Sequence, residues 1–176
     1  MRNTTTIRAM IGLTALAFAG AALADKTTIN GVTFDFDAPA PALSQAQNAF
    51  ASSYRNAVNH RDRAALMALE HPSISSCTYL NERMRFADFR HTIPASGPAS
   101  VKVRFFASSH DLVKAMGMEK LVYLPVRPTA ILGISVETRE QNMIKSFTIL
   151  RPVRQEGQTI RIVPYCLTPE GHAKVG

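Results

Sequence analysis

The chain has 176 residues, with 20 Lys and Arg against 13 Asp and Glu and a formal net charge of +7. This moderate positive charge falls short of what a dedicated nucleic-acid-binding protein carries. Aromatic residues make up 7% of the chain and Trp is absent, so stacking platforms for bases are scarce as well. We therefore expect no nucleic-acid partner.

The first residues have the pattern of a secretory signal peptide. Arg2 and Arg8 precede an apolar run, residues 9–20, and a small-x-small sequence follows at 22–24. The apolar run is too short to cross a bilayer, which takes about 20 residues. We expect cleavage after Ala24, a periplasmic or secreted product, and no transmembrane segment in the remaining chain.

The expected mature chain, residues 25–176, has 18 basic and 13 acidic residues and a net charge of +5. A chain of this size is one domain and buries about two thirds of the surface that it exposes when unfolded. It has two cysteines, Cys77 and Cys166. In an oxidising compartment they most simply form one disulfide. In the chain-entropy model such a bond stabilises the folded state by roughly 4–5 kcal/mol.

Free thiols and a metal-binding or catalytic cysteine are the alternatives to that disulfide. A metal site needs three or four ligands, and no Cys-x-x-Cys or His-x-x-x-His spacing occurs in the chain. Phosphate-binding glycine loops, Gly-x-Ser-x-Gly and zinc-protease motifs are also missing from the sequence. We predict no metal and no cofactor.

The N-terminal part of the expected mature chain predicts an extended segment and then a helix. Residues 25–42 are a proline-containing lead-in with one short strand, Val32 to Phe36. Ser44 and Gln47 fit a capping box, in which each side chain bonds the other residue's backbone N–H. Apolar residues then repeat at helical spacing, which predicts an amphipathic helix over 45–58.

A second, shorter helix is predicted to begin after Asp62, a favourable N-cap. It should end at His71, because the residue before a proline disfavours helical geometry. Residues 81–91 fit a helix, which we favour, but they also alternate like a strand.

In the second half of the chain, the spacing of apolar residues changes from helical to alternating. Val101, Val103 and Phe105 alternate with basic residues, which predicts a half-buried strand. One helical insert should follow, capped by Ser109 and stopped by Gly117.

The remaining sequence predicts strands and one tight turn. Gly157 stands where a hairpin needs it. The predicted strands cover residues 121–126, 129–138, 142–153 and 159–166. Helices followed by antiparallel strands predict an α+β domain over 43–168, in which the helices pack on a curved, cone-like sheet, with a C-terminal tail at 169–176.

Two stretches resemble nuclear-transport-factor-2-like proteins, the cone-shaped α+β fold that ketosteroid isomerase also adopts. They are "FASSYRNAVNHRDRAALMALEHP" and the closing strand "IRIVPYC". The resemblance covers roughly residues 43–72 and 128–166. It implies that Tyr54 faces into the cone, where isomerase-like members use a tyrosine to donate a hydrogen bond to the substrate.

The isomerase reaction also needs a carboxylate base after the second helix, yet no Asp or Glu lies between Glu70 and Glu82. The resemblance therefore favours the fold and argues against the isomerase. His71 could replace the base, since other members of the fold use a pocket histidine. Alternatively, His71 caps the second helix and Tyr54 is an ordinary core aromatic.

We predict four ligand-binding residues: Tyr54 and His71, together with Tyr123 and Arg151. Basic residues along the predicted strands form either a solvated face or a contact surface for an anionic partner. These residues are Lys102, Arg104, Arg127, Lys145, Arg151, Arg154 and Arg161.

We predict a non-catalytic protein that binds a small apolar or anionic ligand, or a partner chain, with a homodimer through the sheet as one form. One alternative is a hydrolase, isomerase or lyase in which Tyr54 and His71 form an acid–base pair. The other is an envelope assembly or stress factor that contacts anionic surfaces.

Overall fold

The computed structural model describes most of the chain beyond the expected signal peptide. The described residues are 26–29, 31–36, 38–39, 41–77, 100–107, 112–140 and 143–175. The predicted signal peptide and the helix-or-strand question at 81–91 lie outside these ranges, as does the predicted cap Ser109.

Two predicted helices form with the expected caps. The described helices are α1 (Gln45–Asn59), α2 (Arg63–Ala68), a 3₁₀-helix (Pro72–Ser76), α3 (Leu112–Ala115) and α4 (Pro169–Val175). Ser44 Oγ accepts the Gln47 N–H at 3.2 Å, and Gln47 Oε1 accepts the Ser44 N–H at 3.0 Å. Asp62 begins α2, and its side chain accepts the Ala65 N–H. Both predicted N-caps are confirmed.

The strands of the described residues form one antiparallel sheet of four and two smaller ladders. They are β1 (Lys26–Ile29), β2 (Val32–Asp35), β3 (Ser100–Ala107), β4 (Val122–Tyr123), β5 (Ala130–Glu140), β6 (Met143–Glu156), β7 (Thr159–Ile162) and β8 (Cys166–Leu167). The four-stranded sheet has the order β3-β5-β6-β7, while β1 pairs with β2 and β4 with β8. The α+β class is confirmed.

Two predicted turns also form. Gly157 lies between β6 and β7 with φ of 59°, in the left-handed region that glycine enters without steric cost. Gly117 follows α3 with φ of 66°, and its N–H bonds to Lys114 O. The hairpin and the helix stop are therefore where the glycines predicted them.

The predicted final strand was wrong in its extent. β7 ends at Ile162, after which the Val163 N–H donates to Pro152 O at 2.8 Å. Pro164 has no backbone N–H and cannot continue a ladder. The chain therefore leaves the main sheet, and Cys166 begins β8 in a separate pairing with β4.

One other predicted strand is shorter than expected, and two further elements were not predicted. The strand predicted at 121–126 is only the two residues of β4. The lead-in contains a hairpin, because β1 pairs with β2 around Gly31, whose φ is 84°. The C-terminal tail forms α4, where Thr168 Oγ1 accepts the Gly171 N–H at 3.0 Å.

One face of the main sheet packs against α1 and α2. The shared core combines apolar side chains at helical spacing with alternate residues of β5, β6 and β7. Its buried members are Ala46, Phe50, Tyr54, Ala57, Val58, Leu66, Leu132, Ile134, Val136, Val153 and Ile160. We call this set the helix-side core.

The opposite face is covered as well. The β1–β2 hairpin, α3, β4 and β8 contribute to a second core, whose buried members are Phe34, Leu112, Val113, Leu121, Val122, Ile131, Tyr165 and Leu167. We call this set the hairpin-side core. The sheet is thus a middle layer at this end of β5, with apolar packing on both faces.

Gly133 allows the second layer to approach β5 closely. A Cβ at this position would lie 2.6 Å from Phe106 Cε2 and 2.7 Å from Phe36 Cζ. Phe106 meets the edges of both Phe34 and Phe36, with ring centroids 5.3 and 5.5 Å apart. The missing side chain of Gly133 therefore makes room for an aromatic cluster.

Candidate functional site

Tyr54 lies in the packed interior between α1 and the sheet. The residue is 4% exposed and belongs to the helix-side core. Its ring stacks on Phe50 with centroids 6.3 Å apart, and Phe50 in turn meets the edge of Phe105 at 6.1 Å. This environment is that of a core aromatic.

His71 is half-buried and caps a helix, but not the one expected. α2 ends at Ala68 with Leu69 as its C-cap, so the predicted C-cap role of His71 is wrong. His71 is instead the N-cap of the 3₁₀-helix, and its Nδ1 accepts the Ser73 N–H at 3.1 Å. An accepting Nδ1 places the proton of a neutral ring on Nε2.

The backbone around His71 runs beside β7. The Ile162 N–H donates to Leu69 O, and the His71 N–H donates to Ile162 O, each at 2.8 Å. Glu70 forms a parallel bridge with Ile162. The main chain therefore holds His71 beside β7, whereas Tyr54 points from α1 into the helix-side core.

The predicted disulfide is confirmed. Cys77 and Cys166 are bonded, with their Cα atoms 5.3 Å apart. Cys166 is fully buried and Cys77 is half-buried. The bond ties the end of the 3₁₀-helix to β8, so the connector after α2 is fixed to the C-terminal part of the chain.

Two other candidate residues lie next to the segment Tyr165–Cys166. Tyr123 is directly opposite Cys166 in the β4–β8 ladder and is 46% exposed. Arg151 Cζ lies 5.9 Å from the ring centroid of Tyr165, the residue before Cys166. We call the five residues Cys77, Tyr123, Arg151, Tyr165 and Cys166 the disulfide region.

Tyr165 was not among the predicted site residues. It is 8% exposed and also belongs to the hairpin-side core. Its position next to Cys166 in the sequence is the one signal that could have drawn attention to it. The contact with Arg151 joins residues from β6 and the segment before β8, which local patterns do not reveal.

Several of the basic residues bind backbone carbonyls. Arg104 donates to Phe36 O at 3.0 Å and also to Ala38 O, which attaches the lead-in to β3. Arg55 Nε donates to Val101 O at 3.1 Å. Arg55 thus binds one backbone carbonyl of β3, an outer strand of the described sheet.

Arg154 and Arg161 form similar contacts on the β6–β7 hairpin. Arg154 Nη1 donates to Arg127 O at 3.1 Å, and Arg161 Nη1 donates to Ala68 O at 2.5 Å. Arg154 Nε also lies 3.4 Å from Glu156 Oε1. The predicted basic face is therefore partly a set of contacts that hold loops and helix ends to the sheet.

No group of three or more His, Cys, Asp or Glu side chains in the described ranges could hold a metal ion. Among the helices of those same residues, none has both the length and the apolar character needed to cross a membrane.

Comparisons with known protein families, curated proteins and solved structures found no significant match to this chain.

Proposed function

We propose that this chain is an exported, non-catalytic binding protein that recognises its ligand or partner with its outer surface. The observation that carries the proposal is the burial of Tyr54. A tyrosine that donates to a bound substrate needs an open space beside its hydroxyl. Tyr54 is 4% exposed and shares its core with Phe50 and Leu132, which favours a structural role.

The contacts of His71 support the same proposal. Its Nδ1 is engaged by the Ser73 N–H and lies 2.8 Å from Ser73 Oγ. A base that caps a helix must give up that cap before Nδ1 can take a proton. Tyr54 and His71 thus have separate structural uses, which weighs against an acid–base pair.

Export is supported by the signal-like residues 1–24 and by the disulfide. Disulfides persist in oxidising compartments and are rare in the cytosol. Cys77 and Cys166 are 89 positions apart, so their bond restricts a long stretch of chain. A periplasmic or secreted location fits both observations.

We also propose a relationship to the nuclear-transport-factor-2-like fold. It is supported by the succession of α1 and α2 and by their packing against one face of an antiparallel sheet. The cone shape and the curvature of the sheet belong to this proposal.

The exposed part of the disulfide region, at Tyr123, is the surface that we propose for recognition. Tyr123 exposes nearly half of its area, and tyrosine combines a rigid apolar ring with a polar tip that suits binding surfaces. Leu124, the next residue, packs against the hairpin-side core. Tyr123 is therefore presented from a fixed backbone.

A titration with Nile red, a neutral apolar dye, tests whether the protein has a binding cavity beside Tyr54 in its interior. We expect no saturable binding to the oxidised mature protein and an unchanged result for Tyr54→Phe. Saturable one-to-one binding that Tyr54→Phe abolishes would overturn the proposal, because it would place an open ligand cavity at Tyr54. Met67→Ala, which alters an exposed residue of α2, is the matched control.

A further inference from the structure

We infer that Cys77 is the sulfur at which an external thiol exchanges with the Cys77–Cys166 disulfide of the folded protein. The two ends of this bond differ in exposure, because Cys166 is 0% exposed whereas Cys77 is half-buried. The rate of thiol–disulfide exchange depends on which sulfur an attacking thiolate can reach. The surroundings of the two cysteines therefore decide where exchange occurs.

Cys166 lies in a continuous buried stretch. Residues 163–167 are all buried, and Tyr165 and Leu167, on either side of Cys166, belong to the hairpin-side core. The β4–β8 ladder holds the same stretch from a neighbouring strand. A thiolate that attacked Cys166 Sγ would have to displace these packed residues.

Cys77 lies at the end of a short element near the surface. It is the C-cap of the five-residue 3₁₀-helix, in which Pro72 and Ser75 are exposed. The chain before this helix is held to β7 by backbone hydrogen bonds of Leu69 and His71. A thiolate can therefore approach Cys77 Sγ from the solvent while the attachment to β7 and the hairpin-side core stay intact.

The exchange needs two thiol groups, supplied by one dithiol or by two monothiols. The first thiolate forms a bond with Cys77 Sγ, and the Cys77–Cys166 bond breaks with its electron pair on Cys166 Sγ, which takes up a proton. The second thiolate then attacks the external sulfur of this mixed disulfide, forms an external disulfide and releases Cys77 as a thiolate, which is also protonated. Two electrons thus pass from the external thiols to the protein, and the reverse sequence forms the bond at the same sulfur.

Tyr123 connects this exchange site with the surface proposed for recognition. Tyr123 and Cys166 are directly opposite each other in an antiparallel ladder, so their side chains point to the same face with Cβ atoms about 5 Å apart. The ring of Tyr123, which is 46% exposed, therefore starts beside the disulfide. The inference rests on the proposed function in this respect, because both place the partner at Tyr123.

The test maps the mixed disulfide that reduced glutathione forms with the oxidised mature protein. Trypsin cuts after basic residues, so Cys77 and Cys166 fall into separate peptides, residues 64–83 and 162–174. After a short native incubation, acid quenching and alkylation of free thiols, mass spectrometry measures the glutathione on each peptide. We expect about tenfold or more on the Cys77 peptide, because exchange follows access to the sulfur. Equal amounts, or an excess on the Cys166 peptide, would overturn the inference.

The same reaction in urea is the matched control, because an unfolded chain exposes both sulfurs. Glutathione should then divide evenly between the two peptides. An unchanged preference for Cys77 in urea would show that burial is not the cause and would refute the argument. The variants Cys166→Ala and Cys77→Ala give a second measurement with oxidised glutathione, which should modify the remaining thiol of the first variant and spare that of the second.

A trapping reagent distinguishes the two sources of the thiol. Thioredoxin whose second active-site cysteine is replaced by serine attacks a disulfide but cannot complete the exchange, so the covalent complex persists. A complex through Cys77 that forms faster than the glutathione adduct at equal thiol concentration would assign the site to a protein dithiol. Slower formation would assign it to a small thiol. Failure of both reagents to react with the native protein refutes the exchange site, whereas the Nile red titration judges the proposed function separately.

Discussion

Ile131 and Leu132 are neighbours in β5, yet their side chains lie in two different cores on opposite faces of the sheet. Ile131 is 1% exposed in the hairpin-side core, and Leu132 is fully buried in the helix-side core. The sheet is therefore packed on both faces at this point. This relationship directs the search for binding sites to the surface of the protein.

Leu132→Ala should destabilise the protein strongly, because it removes methyl groups from the centre of the helix-side core. Core substitutions of this kind cost about 2–5 kcal/mol in the free energy of unfolding. Urea denaturation of the oxidised protein measures the change. Met67→Ala, at a position that is 37% exposed, should cost much less. Similar losses for both variants would contradict the assignment of Leu132 to a core.

Gly133→Ala should destabilise the protein although alanine suits strands no worse than glycine. The new Cβ would lie 2.6 Å from Phe106 Cε2, and overpacking of this kind costs about 1–3 kcal/mol. The melting temperature should fall accordingly. Combining Gly133→Ala with Phe106→Leu tests the cause, because the smaller side chain should make the added methyl less costly. Strict additivity of the two changes would show that the clash with Phe106 is not the reason.

Tyr54 should behave as a packing residue. Tyr54→Ala should cost about 3–5 kcal/mol, as expected for truncating a large buried aromatic side chain. Tyr54→Phe keeps the ring against Phe50 and should therefore cost much less than Tyr54→Ala. Denaturant unfolding separates these two outcomes. A small effect of Tyr54→Ala would indicate that the ring lies in open space.

Replacing both cysteines with serine should lower the free energy of unfolding by about 4 kcal/mol in the chain-entropy model. Cys77 and Cys166 are 89 positions apart, so the bond greatly restricts the unfolded chain. Adding a reductant to the wild type should reproduce the loss and leave the double variant unchanged. An equal response of both proteins to the reductant would contradict this explanation.

Local sequence signals predicted much of the fold because their physical causes are local. Ser44 and Gln47 cap α1 through each other's backbone N–H groups, and Asp62 caps α2 in a similar way. Gly157 supplies the backbone conformation of the β6–β7 turn. Each of these features depends on residues a few positions apart, so a short pattern is sufficient.

Several features that depend on distant residues escaped prediction, although the disulfide did not. β1 is mostly polar and becomes a strand through its pairing with β2. β8 leaves the main sheet because of Pro164 and pairs with β4, more than 40 positions earlier in the chain. The contact between Arg151 and Tyr165 likewise depends on the final packing. The resemblance to nuclear-transport-factor-2-like proteins stays a prediction.

A crystal structure of the mature protein, purified from the periplasm without reduction, tests whether the protein has an interior binding site. The decisive region is the space beside Tyr54, between α1 and β5. We expect the side chains of the helix-side core to fill this space, with the Cys77–Cys166 bond intact. An open cavity at Tyr54 that contains ligand density would contradict recognition by the outer surface and restore an interior site.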